Sequence, residues 1–480
     1  MKTSPFSPIT NRLWQSGSQC KRLLWYKQRG LKESIPPRPD WRTSVAKHQV
    51  HEVARRLFPG GRFAARGESL RNEGTWFDVW LESDRYACRA DILVLKDKNK
   101  RTVDLYRVKS ATRLYDRYLD DVAFQTVCLR AAGFVPDRQF IIHINPAADR
   151  PDPDVLFVIS EVTDRLNGRL RSIPAKAAAL RRLLRQEKEP GRRPGYHCME
   201  CGFRSQCWPD EVTEPVFWLP ALNDDQQQII RNREWLDIRQ LPDSFPVNQR
   251  QALIREVHQN RQPFIHHTLL TDSLSQLRQP LAFLDFEADN PPVPRFQGMK
   301  PFGQIPYQFS LLLHDESGQM SGIDYLHRDG SDPRPGLLER LSVLRNHQGS
   351  IVVYNHQFER QILSLLAAWS PDDAGWLAGA ASRLWDLQEV VQHGVYLPGF
   401  QGKYSLKQVL NALYPRFSYG TLTVQSGLDS QYLWNHLIVN GGSETDWQAL
   451  LDYCRRDTEG MVLVLGKLRE WVQGTGNQPD

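Results

Sequence analysis

The chain has 480 residues, 40% of them hydrophobic and 24% charged, which excludes both a single small module and a globally disordered polymer. Lys and Arg outnumber Asp and Glu by 61 to 55, a net charge of +6 that permits a polyanionic partner without selecting one. The opening residues hold no apolar signal core and no later run reaches the length of a membrane span, so a cytoplasmic protein with no membrane partner is expected.

Residues 1–210 read as an α/β unit. A helix is expected around Cys20 and another over 46–57, stopped by Pro59-Gly60-Gly61. Alternating or β-branched runs predict strands at 76–81, 90–95 and 102–108, followed by a helix over 120–132 and a strand over 139–144. Ten Lys or Arg residues then fall between 165 and 193 against Glu187 and Glu189, which suits a solvated helix face or a phosphate-contacting surface. Residues 211–280 read as a helical connector. Strands at 281–288, 307–314 and 350–354, with helices at 336–345, from 355 onward, at 406–413 and at 447–471, predict a second α/β domain over 281–475.

Seven cysteines are too few, and odd in number, for a disulfide scaffold. Cys198, Cys201 and Cys207 supply three soft donors to one metal centre, one short of the four that a structural zinc or a cubane iron–sulfur cluster takes. His197 or a distant cysteine, Cys20 foremost, would complete the set. Cys88, Cys128 and Cys454 lie inside expected elements, where buried thiols are usual. Donor chemistry by itself does not separate zinc from iron.

Upstream of the triplet stand His51 on an early helix, Asp91 at the start of ADILVL, Arg107 and Lys109 in LYRVKS, and Gln125 on the next helix. This part resembles the RecB-like branch of the PD-(D/E)XK nuclease superfamily, in those members that hold a [4Fe-4S] cluster with one early and three late cysteines. The resemblance implies a restriction-endonuclease-like α/β core over 1–210 and a cluster held by Cys20, Cys198, Cys201 and Cys207. It also implies a nuclease centre at His51, Asp91, Lys109 and Gln125. Arg107 occupies the position of the family's second carboxylate; it cannot ligate Mg²⁺, and its charge opposes a cation beside Asp91. A degenerate centre that binds nucleic acid, or serves as a platform, is expected. Asp104 and Glu73 are the acids that could substitute, although on a strand Asp104 faces away from Arg107.

Asp285 and Glu287 share one face of the apolar strand LAFLDFEA. Later come Asn355, Phe358 and Glu359 in one run, Asp386 in another, and Tyr453 with Asp457, four apart on a helix face. Gathered carboxylates repel, a penalty that divalent cations offset. The set resembles the tyrosine-type DEDD exonucleases of the ribonuclease H-like fold, with Glu359 where the usual member has Asp. The resemblance implies a mixed-sheet domain in which Asp285, Glu287, Glu359 and Asp457 hold two Mg²⁺ or Mn²⁺ ions. Tyr453 would orient the attacking water, Asp386 would be the reserve ligand, and Lys403 or Lys407 would meet phosphate. Most of the chain is similar to a bacterial family of uncharacterised function that fuses these two domains. The implied activity is 3′ to 5′ exonuclease hydrolysis of single-stranded nucleic acid, DNA favoured, with the first domain guiding the strand. The alternatives are a dual nuclease and an impaired nucleic-acid-binding or complex-forming protein. The chain contains no P-loop motif, so unwinding would fall to a helicase partner.

Overall fold

The computed structural model describes residues 8–34, 41–315, 317–417 and 419–474, so the expected domain end at 475 lies just outside the described residues. Two units are present, Met1–Asp210 with Pro291–Gly303, and Glu211–Asn290 with Gln304–Asp480. Each is a mixed α/β unit with its own sheet.

In the first unit the alternating runs pair as an antiparallel meander of Gly74–Glu82, Tyr86–Asp97 and Thr102–Lys109. Val135–Ile144 then joins parallel to Thr102–Lys109. A parallel pair needs a crossover, and the helix Asp116–Ala131 supplies it, burying Leu119 and Val122 to Leu129. Phe157–Glu161 closes one edge and Arg62–Phe63 the other, while Ile9–Thr10 runs parallel to Tyr86 and Ala87. The edge strand Phe157–Glu161 escaped the sequence reading because Val158 and Ile159 are exposed there and leave no alternation. Around Cys20 the single expected helix is two, Asn11–Gln19 and Lys21–Gln28, because Cys20 itself is extended. The basic run forms the helix Asn167–Arg185, which buries Ile173, Ala177, Leu180 and Leu183 and turns most of its cations to solvent.

The second sheet runs Met320–Leu326, Ile305–His314, Leu281–Asp289, Ile351–Val353, Leu384–Asp386. The first three strands are antiparallel and the last two run parallel to Leu281–Asp289. That central strand is covered on both faces, which is why it reads as a continuous apolar run. Its even positions, Ala282, Leu284, Phe286 and Ala288, enter the main core. The odd positions, including Asp285 and Glu287, face the helix Glu444–Gln473. Gln308 and Ser310, in register with Glu287 and Asp285, fasten that helix: Gln308 Nε2 donates to Leu450 O at 2.8 Å, and the Ser310 and Thr458 hydroxyls lie 3.0 Å apart. The expected helix at 336–345 is Arg334–Leu341 followed by a 3₁₀ turn, and the helices Ala374–Ser382 and Gly427–Asn440 had no sequence counterpart.

Residues 211–280 contain the helices Asp224–Arg233, Gln249–Asn260 and His267–Ser275 and pack within the second unit. A buried polar chain ties them to residues 396–402. His258 Nδ1 lies 3.0 Å from Glu214, His258 Nε2 lies 2.9 Å from the Tyr396 hydroxyl, and Gly402 N donates to that hydroxyl at 3.0 Å. Gly402 has φ of +73°, and a Cβ there would lie 2.0 Å from Trp218 O. No described helix is long and apolar enough to cross a membrane.

Gly402→Ala therefore meets both backbone strain, on the order of 1–3 kcal/mol, and a backbone overlap. Gly441, with the same φ but open space around it, meets strain alone. Urea unfolding is expected to show a clearly larger loss for Gly402→Ala than for Gly441→Ala; equal losses would show that the Trp218 contact yields without penalty.

Candidate metal centre

Strand pleat and helix pitch bring three carboxylates together. One oxygen from each of Asp285, Glu287 and Asp457 lies within 4.8 Å of the others. Glu359, in the first turn of the helix His356–Trp369, is 2% exposed, and its Oε2 is buried without a hydrogen-bond partner. It stands outside the tight trio, yet its charge acts on Glu287 and it feels that of Asp285. Tyr453, one turn before Asp457, is buried beside them, its ring 6.1 Å from that of Tyr419.

Burial is the largest influence on these acids and raises the pKa of all four. Mutual repulsion adds to it: Glu287 feels Asp285, Asp457 and Glu359, and Asp285 feels Asp457. Asp457 is pushed up to about 7, with the Tyr419 phenol and the Lys407 ammonium pulling in the opposite direction. Tyr419 donates to Asp457 Oδ1, and Cys454 Sγ lies 3.4 Å from Asp285 Oδ2. The sequence reading missed Tyr419, which sits in a short 3₁₀ turn with no periodic pattern around it. Its role follows from spatial contact alone.

Asp386 stands apart from this trio. Its Oδ1 accepts from the backbone of Asn355 and Gln388 at 3.0 and 2.9 Å, and its Oδ2 from the backbone of His356 at 3.0 Å, with His356 Nδ1 at 2.8 Å. It caps the helix Leu387–Gly394 and clamps the left-handed turn at Asn355, φ +83°. With His356 and Glu389 it forms a second group whose donor atoms lie within 4.8 Å. A cation there would compete with hydrogen bonds that already occupy both oxygens of Asp386.

In the first unit Asp91 and Arg107 form a buried ion pair at 2.5 Å, and Val108 N donates to the other carboxylate oxygen at 2.9 Å. Burial by itself would raise Asp91, but Arg107 foremost, then His51 and the Val108 amide, hold it below the usual carboxylate range. His51 Nδ1 is 4.0 Å from Asp91, and burial lowers the ring to about 4. Lys109 pairs with Asp121, and burial together with Arg107 lowers it to about 8. Gln125 donates to Arg89 O at 3.1 Å. Of the two substitute acids, Asp104 is held by Lys96 and Arg138, and Glu73 accepts from Lys98 N.

Cys20, Cys198, Cys201 and Cys207 line one small cavity with His197, Arg22 and Tyr26. Burial raises Cys198 to about 11 and also raises Cys201 and Cys207, while Arg22 donates to Cys207 Sγ at 3.4 Å. Among the described residues these sulfurs are not one of the groups with donor atoms within 4.8 Å. A single tetrahedral zinc, with Zn–S bonds of about 2.3 Å, draws its donors closer than that.

Residues 282–405 match the model of a domain of unknown function (DUF2779). The matched segment contains Asp285, Glu287, Glu359 and Asp386 and ends before Tyr453 and Asp457. No curated protein matches the chain. The second unit is thus an α/β unit with two residue clusters able to coordinate metal ions.

A carboxyl raised from 3.8 to about 7, as in Asp457, contributes stability that is present below 3.8 and lost as pH rises through about 7. The metal-free protein is expected to lose stability across that window, and Mn²⁺ to raise the unfolding temperature more near pH 8 than near pH 5. Equal Mn²⁺ shifts at both pH values would count against the trio as the site. Tyr419→Phe removes the donor on Asp457 and is expected to weaken Mn²⁺ binding by about 10-fold or more, measured by calorimetric titration.

Proposed function

We propose that the second unit is a ribonuclease H-like, tyrosine-type DEDD exonuclease that removes nucleotides from the 3′ end of single-stranded nucleic acid, DNA favoured. The observation that carries this reading is the convergence of Asp285, Glu287 and Asp457 within 4.8 Å, with Glu359 and Tyr453 buried alongside. An all-oxygen, repelling donor set fits hard divalent cations, two Mg²⁺ or Mn²⁺ ions with Glu359 as the fourth carboxylate. Such ions, when bound, lower the pKa of water and neutralise charge building on the phosphoryl group. Tyr453 orients the attacking water, since a phenol hydrogen-bonds it without adding negative charge. Tyr419 holds Oδ1 of Asp457, which leaves the second oxygen for a cation. Lys407, which donates to Gln425 O at 2.8 Å, would meet substrate phosphate in this reading.

In this reading residues 1–210 are a RecB-like, restriction-endonuclease-like domain that binds the strand, and 211–280 connect it to the exonuclease domain of 281–475. The Arg107–Asp91 pair favours binding over cleavage there, because the carboxylate a metal would need is already neutralised. What supports a [4Fe-4S] cluster here is the donor chemistry, four cysteine thiols lining one cavity. Such a cluster would staple the start of the domain to its end.

Stepwise shortening of end-labelled single strands in Mn²⁺ or Mg²⁺ is the expected activity, and Asp285→Ala is expected to lower its rate by about 10³-fold, the scale of removing one strong electrostatic contact to a transition state. Binding without hydrolysis in either metal would sink the exonuclease reading, and cutting of circular strands that survives Asp285→Ala would place a nuclease in the first unit. Anaerobically purified protein is expected to be coloured and to contain iron; a colourless sample with stoichiometric zinc would overturn the cluster assignment.

A further inference from the structure

A cavity of about 420 Å³ opens in the first unit where Asp91 and Arg107 meet. Its wall holds five permanent cations, Arg12, Lys47, Arg55, Arg89 and Arg107, against two carboxylates, Asp78 and Asp91. Asp78 is engaged by Arg55 and Arg89, each at 2.8 Å, and Asp91 by Arg107. Arg12 and Lys47 are exposed, and neither has an ion pair among the described residues. The cavity is therefore cationic after its internal pairs are formed.

Three residues of that wall carry a buried side-chain atom with no hydrogen-bond partner: Nε of Arg107, 7% exposed, Nε2 of His51, 8% exposed, and the acceptor Oδ1 of Asn11. A buried guanidinium N–H without an acceptor is costly, so it marks a place where an acceptor belongs. An oxyanion in the cavity would accept from Arg107 and from the Nε2–H tautomer of the neutral His51 ring. Trp80 also lines the cavity; Arg66 lies 4.6 Å from its ring, and the indole offers a surface on which a base can stack.

We propose that this cavity is a metal-independent site for a phosphate group of single-stranded nucleic acid. Arg107 provides beside Asp91 the positive charge that a divalent ion would otherwise bring, so a phosphate binds there without a metal. The neighbouring Trp80 favours a nucleotide chain over free phosphate. The inference rests on the strand-binding reading of the first unit and is independent of the carboxylate centre of the second.

The test measures binding of fluorescent oligothymidylate to the full-length protein in EDTA, which silences metal-dependent hydrolysis, over a salt series. Wild-type protein is expected to bind. Arg12→Ala/Lys47→Ala, at exposed positions that leave the fold intact, is expected to lower affinity about ten-fold and to flatten the dependence of log affinity on log salt by about one. Arg107→Glu keeps Asp91 but reverses the charge; it is expected to lose oligonucleotide affinity and to gain a Mn²⁺ site absent from Arg107→Gln. A preference for 5′-phosphorylated strands would assign a terminal phosphate, and equal binding an internal phosphodiester; both agree with the proposal. An unchanged affinity and salt slope in Arg12→Ala/Lys47→Ala would overturn it. So would an equal loss from Arg182→Ala/Arg185→Ala on the solvated helix, which would mean diffuse attraction. Because hydrolysis by the second unit is scored separately with Asp285→Ala, either reading can fail without the other.

Discussion

A buried carboxylate needs a counter-charge, and this chain meets that constraint in two opposite ways. In the first unit the counter-charge is a side chain of the protein: Arg107 lies 2.5 Å from Asp91 and holds it ionised despite full burial. In the second unit Asp285, Glu287 and Asp457 crowd into one small volume with the Lys407 ammonium and the Tyr419 phenol as modest relief, and their pKa values climb. The first arrangement is closed to a further cation. The second is open to an external cation, and that difference governs what each unit can do.

The crowded arrangement persists because hydrogen bonds outside the carboxylate trio hold it. Gln308 and Ser310 fasten the helix Glu444–Gln473 across the odd face of the central strand, next to the carboxylates rather than through them. Asp386 fixes the turn that launches the helix carrying Glu359, using all its hydrogen-bonding capacity to do so. Glu214, His258, Tyr396 and Gly402 join residues 211–280 to the same unit. None of these contacts uses Asp285, Glu287 or Asp457, so they hold the frame of the site while its charges repel.

Elements whose two faces are both used were legible in the chain, and edges were not. LAFLDFEA reads as a strand because it is central and covered on both sides, and the period of Tyr453 and Asp457 reads as one helix face. Phe157–Glu161 and Met320–Leu326 are edge strands with exposed residues, so their pattern is diluted. Tyr419 and the hold of Asp386 on Asn355 and His356 were hidden for another reason: hydrogen bonds between residues 30 or more apart leave no periodic trace.

Composition, spacing and alternation determined which side chains are available: a cysteine triplet, carboxylates at i, i+2 on a strand and on a later helix, and an arginine two residues before Lys109 on a strand. Tertiary structure decided which of them meet. It set Asp457 against Asp285 and Glu287, turned Asp386 into a cap, gathered Cys20 with Cys198, Cys201 and Cys207 around one cavity, and paired Arg107 with Asp91. The reason is physical: covalent spacing constrains neighbours within a turn or a pleat, whereas the balance of repulsion, burial and counter-charge at a site is set by groups that only packing brings into range.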